Sequence, residues 1–175
     1  MKFVTRFIAS LVVGLILMMS QALAASDTLM IQLKDGVVEV KLRPDLAPKH
    51  VEQITALANK GFYDGIIFHR VIPGFMAQTG DPTGTGRGGS DLPDLKAEFT
   101  PEPFARGVLG MARSQSPDSG NSQFFIMFDQ GDFLNNKYTV FGQVTKGMDL
   151  VDNIAKGEPP ANPDKMIKVR TSDKF

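Results

Sequence analysis

A permanent cation sits inside an apolar run. Arg70 lies among Phe68, Ile72 and Phe75 in the segment Phe68-His69-Arg70-Val71-Ile72-Pro73-Gly74-Phe75-Met76-Ala77-Gln78. A guanidinium presents a rigid, planar fan of donors and keeps its charge at any ordinary pH, so beside an oily surface it is either paired with a carboxylate or held for a ligand. Glu98 is the natural candidate for such a pair. A second segment, Ser122-Gln123-Phe124-Phe125-Ile126-Met127-Phe128, has the same mixed character. Read as a strand with period two, it puts Phe124, Ile126 and Phe128 on one face and Gln123, Phe125 and Met127 on the other. Both faces are apolar, which suits a strand with a core on one side and a covered surface or groove on the other.

Other chemistries fail on residue type or context. The chain has no cysteine, which excludes disulfides, thiol nucleophiles and Cys-ligated zinc or iron–sulfur centres. Its two histidines, His50 and His69, have no neighbouring second ligand, so no metal site is expected. His50 falls in a helical stretch and reads as a solvated side chain. Gly84-Thr85-Gly86-Arg87-Gly88-Gly89 satisfies G-x-G-x-x-G, but Asp81-Pro82 precedes it and Ser90-Asp91-Leu92-Pro93 follows. A dinucleotide fingerprint needs a strand before and a helix after, so the segment reads as a turned surface loop. Asp118-Ser119-Gly120 resembles half of an aspartic-protease pair, but it occurs once and sits among turn residues. The 19 basic and 19 acidic side chains balance, which removes the electrostatic footing for a nucleic-acid partner.

The surrounding elements are short. Thr28–Leu33 and Val37–Leu42 flank Lys34-Asp35-Gly36 and predict a hairpin with a tight Asp-Gly turn. From Pro48, Val51, Ile54, Leu57 and Ala58 share a helix face that stops at Gly61. Further strands are predicted at 66–72, 74–79, 107–112, 122–128, 139–145 and 166–171, and a second helix at 148–155. Eight strands and two helices without a βαβ rhythm predict a mainly β fold, a closed eight-stranded antiparallel β-barrel capped by two α-helices.

Residues 1–24 read as an export signal. Lys2 and Arg6 precede an apolar run from Phe7 to Met19, and Ala22-Leu23-Ala24 has the small-x-small form a signal peptidase accepts. Cleavage is expected after Ala24, with Ala25 as the next choice; an uncleaved anchor is the alternative. The expected mature domain is 25–175, carrying 17 basic and 19 acidic side chains, a net −2.

The segment around Arg70, continued by Gln78-Thr79-Gly80-Asp81, then Ser122-Gln123-Phe124-Phe125-Ile126 and Val140-Phe141-Gly142, resembles the cyclophilin family of peptidyl-prolyl cis/trans isomerases. The likeness runs from about Thr28 to Thr171. It implies that Phe75, Met76, Phe125 and Leu134 form a pocket for a proline ring and that Arg70 donates to the prolyl nitrogen. Gln78 would hold the substrate backbone and help to position the arginine. Ala112 and Arg113 would offer main-chain groups to the residue before proline, and Gly86, Gln123 and Tyr138 would complete the groove. His69 is expected to be structural, because rotation needs no general base. Phe133 stands where many relatives carry Trp, which implies weak cyclosporin binding; Tyr138 and Arg113 replace a frequent His and Asn. The resemblance and the leader together point to a periplasmic monomer that acts on proline-containing peptides and unfolded exported proteins, with no cofactor and no lasting membrane insertion.

Overall fold

The computed structural model describes residues 26–175, so the export signal and its cleavage site lie outside the described residues. Strands β1 (Thr28–Leu33) and β2 (Gly36–Leu42) form the expected hairpin, with Leu33 opposite Gly36. Gly36 is already the first residue of β2, so the loop itself is Lys34-Asp35. Helix α1 (Pro48–Asn59) buries Val51, Ile54, Leu57 and Ala58, as its periodicity requires. Pro48 occupies its first turn, where a missing N–H costs nothing. Gly61, at φ +80°, ends it: the N–H groups of Gly61 and Phe62 return to the carbonyls of Ala58 and Leu57.

The remaining elements are β3 (Arg70–Ile72), β4 (Met76–Thr79), β5 (Val108–Met111), β6 (Phe124–Met127), a 3₁₀ turn (Asp132–Leu134), β7 (Val140–Lys146), helix α2 (Met148–Asp152) and β8 (Lys168–Thr171). Every pairing between the described strands is antiparallel, in the order β3-β4-β6-β5-β7-β2-β1-β8. The sheet curls into an open half-barrel, not the closed barrel expected from sequence. β3 and β8 are the two ends of the order and do not pair with each other. Val71 exchanges two hydrogen bonds with Gly157, and the backbone at 65–68 bonds that at 164–166. Between those points Pro159, Pro160 and Pro163 supply no N–H groups, so no continuous ladder can bridge the gap.

α2 is also shorter than the predicted 148–155. Ala155 gives its N–H to the Asp164 carboxylate instead of a carbonyl one turn back, and Lys156 donates to the carbonyls of Asp152 and Ile154. These two side chains take over the groups that another turn of helix would have used.

Two apolar clusters lie on opposite faces of the strands. One holds Val71, Ala77, Phe124 and Ile126 with the buried side of α1. The other holds Met76, Phe104, Phe125, Met127 and Leu134. The alternation read from 122–128 is therefore observed, and the second cluster underlies the site.

Candidate active site

The turn Ile72-Pro73-Gly74-Phe75 fixes the register of the site. Pro73 sets one turn dihedral, Gly74 takes φ +68°, and the Phe75 N–H returns to the Ile72 carbonyl at 3.1 Å. Just outside this turn, two residues before Ile72 and three after Phe75, Arg70 of β3 faces Gln78 of β4. Directly opposed residues share a sheet face, so the guanidinium and the amide must meet. Gln78 in turn pairs with Phe125 of β6, and Met76 with Met127. One face thus runs from a cation through an amide to an aromatic ring.

Arg70, Phe75, Met76, Gln78 and Phe125 line a hollow of about 140 Å³, closed by Ala112, Arg113, Leu134 and Tyr138. Set against the ~30 Å³ share of a liquid water, it has room for one small apolar ring. Its floor is firm. Phe125 stacks on Phe104 at a ring separation of 5.7 Å and meets Tyr138 edge-on at 5.9 Å. Beneath it Gly110 leaves space that only glycine can leave, since a Cβ there would lie 2.3 Å from the Phe125 ring.

Arg70 does have a carboxylate partner, but the partner is Glu158 and not Glu98. Its Nε donates to Glu158 at 2.8 Å and its Nη1 to Gln78 Oε1 at 3.4 Å, while the side chain stays 40% exposed at the rim of the hollow. The pair and the open hollow coexist. An exposed ion pair of this kind contributes little stability, and here it restrains the guanidinium through its Nε. Glu98 is engaged elsewhere. It accepts the N–H groups of Lys49 and His50 at the start of α1, which has no side-chain cap of its own, and its Oε2 lies 2.7 Å from His50 Nδ1. His50 is therefore buried, at 1% exposure, and not solvated as its helical position suggested.

A larger hollow of about 610 Å³ adjoins the first and is lined by Gly86, Gln123 and Asn121, with Arg87 and Asp94 at its wall. Ala112, Arg113 and Gln78 border both. Gln123 and Gly86, expected in the groove, line this second hollow and not the first. Phe133 borders neither hollow; it is 60% exposed and tilts against Phe75 at 5.3 Å. Arg113 spends its guanidinium on the carbonyls of Lys137, Ser114 and Gln115 and lies 4.4 Å over the Tyr138 ring, so the two unusual residues brace one another. The Ala112 N–H is taken by the Gln123 carbonyl, which leaves its carbonyl as the group it can offer a peptide. His69 is buried, neither ring nitrogen has a protein partner, and burial pushes its pKa below the usual range. Glu158, Phe104 and Gly110 were not nominated from the sequence. Glu158 lies 88 residues from Arg70, and no local pattern links them.

Residues 28–172 match the family described as cyclophilin type peptidyl-prolyl cis-trans isomerase/CLD. The chain belongs to the cyclophilin family. It is a peptidyl-prolyl cis-trans isomerase, and its curated relatives carry the same activity in their names. A probable peptidyl-prolyl cis-trans isomerase of Brucella suis is 56% identical over 167 residues, covering 85% of each chain. Peptidyl-prolyl cis-trans isomerase B of Bacillus subtilis is 44% identical over 128 residues, covering 72% of this cyclophilin and 89% of the relative. Among solved structures, cyclophilin AquaCyp293 from Hirschia baltica superposes with a TM-score of 0.79 at 29% identity, covering 86% of this chain and 76% of that one. A Cryptosporidium parvum cyclophilin crystallised in the presence of the dipeptide Ala-Pro gives 0.76 at 31% identity, covering 82% and 98%.

Proposed function

We propose that this cyclophilin speeds X-Pro rotation in exported proteins, in the periplasm, and that rotation proceeds without a covalent intermediate or a cofactor. The leader pattern at residues 1–24 supports the location. The chemistry supports the rest: twisting an amide breaks no σ bond and moves no electrons to an acceptor. The barrier to overcome is about 18 to 20 kcal/mol, and unaided rotation takes tens to hundreds of seconds. Shortening this to about a millisecond needs roughly 5.5 to 7 kcal/mol of stabilisation confined to the twisted state.

In this reading the proline ring seats against Phe75, Met76, Phe125 and Leu134. As the amide twists, its nitrogen becomes pyramidal and regains a lone pair. Arg70 donates to that lone pair, an interaction absent in the planar ground state and strengthened where the ring has displaced water. Gln78 holds the guanidinium and the substrate backbone. The carbonyl of Ala112 and the main chain of Arg113 receive the residue before proline, and the preceding chain continues toward Gln123 and Gly86. The observation that carries the reading is Arg70, held by Glu158 and Gln78 at the lip of an apolar hollow.

Mass spectrometry of the protein released from the periplasm should show a chain that begins at Ala25. A full-length chain recovered from the cytoplasm alone would overturn the export reading. Phe133 bears on drug binding, because its ring has no N–H to offer. Cyclosporin should bind weakly, and Phe133→Trp should tighten binding about tenfold in a fluorescence titration, the net worth of about one hydrogen bond. Unchanged affinity would contradict that role.

A further inference from the structure

The glycine-rich loop that resembles a dinucleotide fingerprint folds around one anion supplied by the chain itself. Asp81, just beyond β4, is 1% exposed and borders neither hollow. Its Oδ1 accepts from the Thr83 N–H at 2.7 Å and the Thr83 hydroxyl at 2.8 Å; its Oδ2 accepts from the Gly86 N–H at 2.6 Å. Burial alone would raise the pKa of this carboxyl, but the donors of Thr83, Gly88 and Gly86 outweigh it and bring it to about 2. The loop wraps so closely that a Cβ on Gly88 would lie 2.1 Å from Oδ1, and Gly84 and Gly86 both take positive φ.

The outer side of the loop faces the site. The carbonyls of Gly86 and Gly88 accept from Gln123 Nε2 at 3.1 and 2.8 Å. That fixes which way the Gln123 amide points, since flipping it would set oxygen against two carbonyl oxygens. Gln123 Oε1 is left to accept from Gln78 Nε2 at 2.9 Å, and Gln78 Oε1 is left to accept from Arg70 Nη1. Each link determines the polarity of the next.

We propose that Asp81 is a positioning residue for the isomerase reaction: its carboxylate shapes the 82–89 loop, the loop carbonyls orient Gln123, and Gln123 orients Arg70 through Gln78. The assignment rests on the reading that Arg70 acts on the prolyl nitrogen. A donor aimed at a transiently pyramidal atom loses effect with small displacements, so loosening a support outside the hollow reaches the chemistry without touching the substrate.

The test is a two-by-two comparison of Asp81→Asn and Gln78→Ala, with Arg70→Ala measured alongside. Asparagine keeps the shape but turns an NH₂ toward N–H donors. Asp81→Asn should lower kcat about tenfold with less than a twofold change in KM, and should cost little more when Gln78 is already alanine, because coupled residues are non-additive. Should Asp81→Asn fail to fold, Thr83→Val removes one hydroxyl donor; it should lower kcat about two- to threefold with the same dependence on Gln78. Losses that multiply in the double variant, a loss carried by KM, or unchanged kcat in the folded variant would each overturn the assignment while leaving Arg70 in its role. Wild-type turnover in Arg70→Ala would remove both.

Discussion

Arg70→Ala is expected to lower kcat/KM on a proline tetrapeptide about 10²- to 10³-fold, the usual cost of removing one donor aimed at a transition state. The loss should fall on kcat, because the planar substrate gives the guanidinium no lone pair on nitrogen to meet. The melting temperature should stay close to that of wild type: the side chain is 40% exposed, and its partner Glu158 is 52% exposed. Arg70→Lys should recover little. An ammonium is a point charge on a flexible stem and cannot satisfy Glu158 and Gln78 in one plane while leaving a donor over the hollow. A coupled-protease or line-shape assay reads the rate, and activity within a few-fold of wild type would contradict the assignment.

Phe125→Ala should damage both binding and stability. The ring is 5% exposed, packed between Phe104 and Tyr138 and shaped to the gap above Gly110. Truncating a buried Phe costs about 3 to 5 kcal/mol, because the lost transfer energy is joined by the cavity left behind. In a domain of this size that is roughly 10 °C in Tm. Peptide affinity should fall at least about tenfold, since the proline ring loses the floor it rests on. Phe125→Leu, which keeps most of the volume, should melt nearer to wild type while still binding weakly. Thermal melts and peptide titrations separate the two effects, and tight binding by a folded Phe125→Ala would contradict the placement of the ring.

The parts of the site that follow from local sequence were legible in it. Period two along 122–128 set Phe125 apart from Phe124 and Ile126, whereas the Pro73-Gly74 turn that opposes Arg70 to Gln78 was read only as the boundary between strands at 66–72 and 74–79. α1 was legible because Pro48 and Gly61 punctuate a regular apolar stripe. What escaped depends on contacts between distant segments. Glu98 reaches 48 residues back to cap α1 and pair with His50, so a histidine expected in solvent is buried and a carboxylate expected beside Arg70 is elsewhere. Glu158 reaches Arg70 from a proline-rich segment whose missing N–H groups also keep the half-barrel open. The shortening of α2 has the same origin, because Asp164 takes the N–H that another turn would have used. Asp81 ends the segment Gln78-Thr79-Gly80-Asp81, and its signal, an Asp two residues before Thr at the head of a glycine-rich loop, was readable as an Asx turn. Its link to Arg70 was not readable, because that link passes through Gln123 on another strand.

The most direct measurement is two-dimensional exchange NMR on a labelled Ala-Pro peptide with catalytic amounts of wild type and of Arg70→Ala, which reports binding and interconversion in one spectrum. Wild type should give strong cis–trans exchange cross-peaks. Arg70→Ala should shift the peptide resonances on binding and leave the cross-peaks near the uncatalysed level. Undiminished cross-peaks with Arg70→Ala, or none with wild type, would contradict the claim that this guanidinium stabilises the twisted amide.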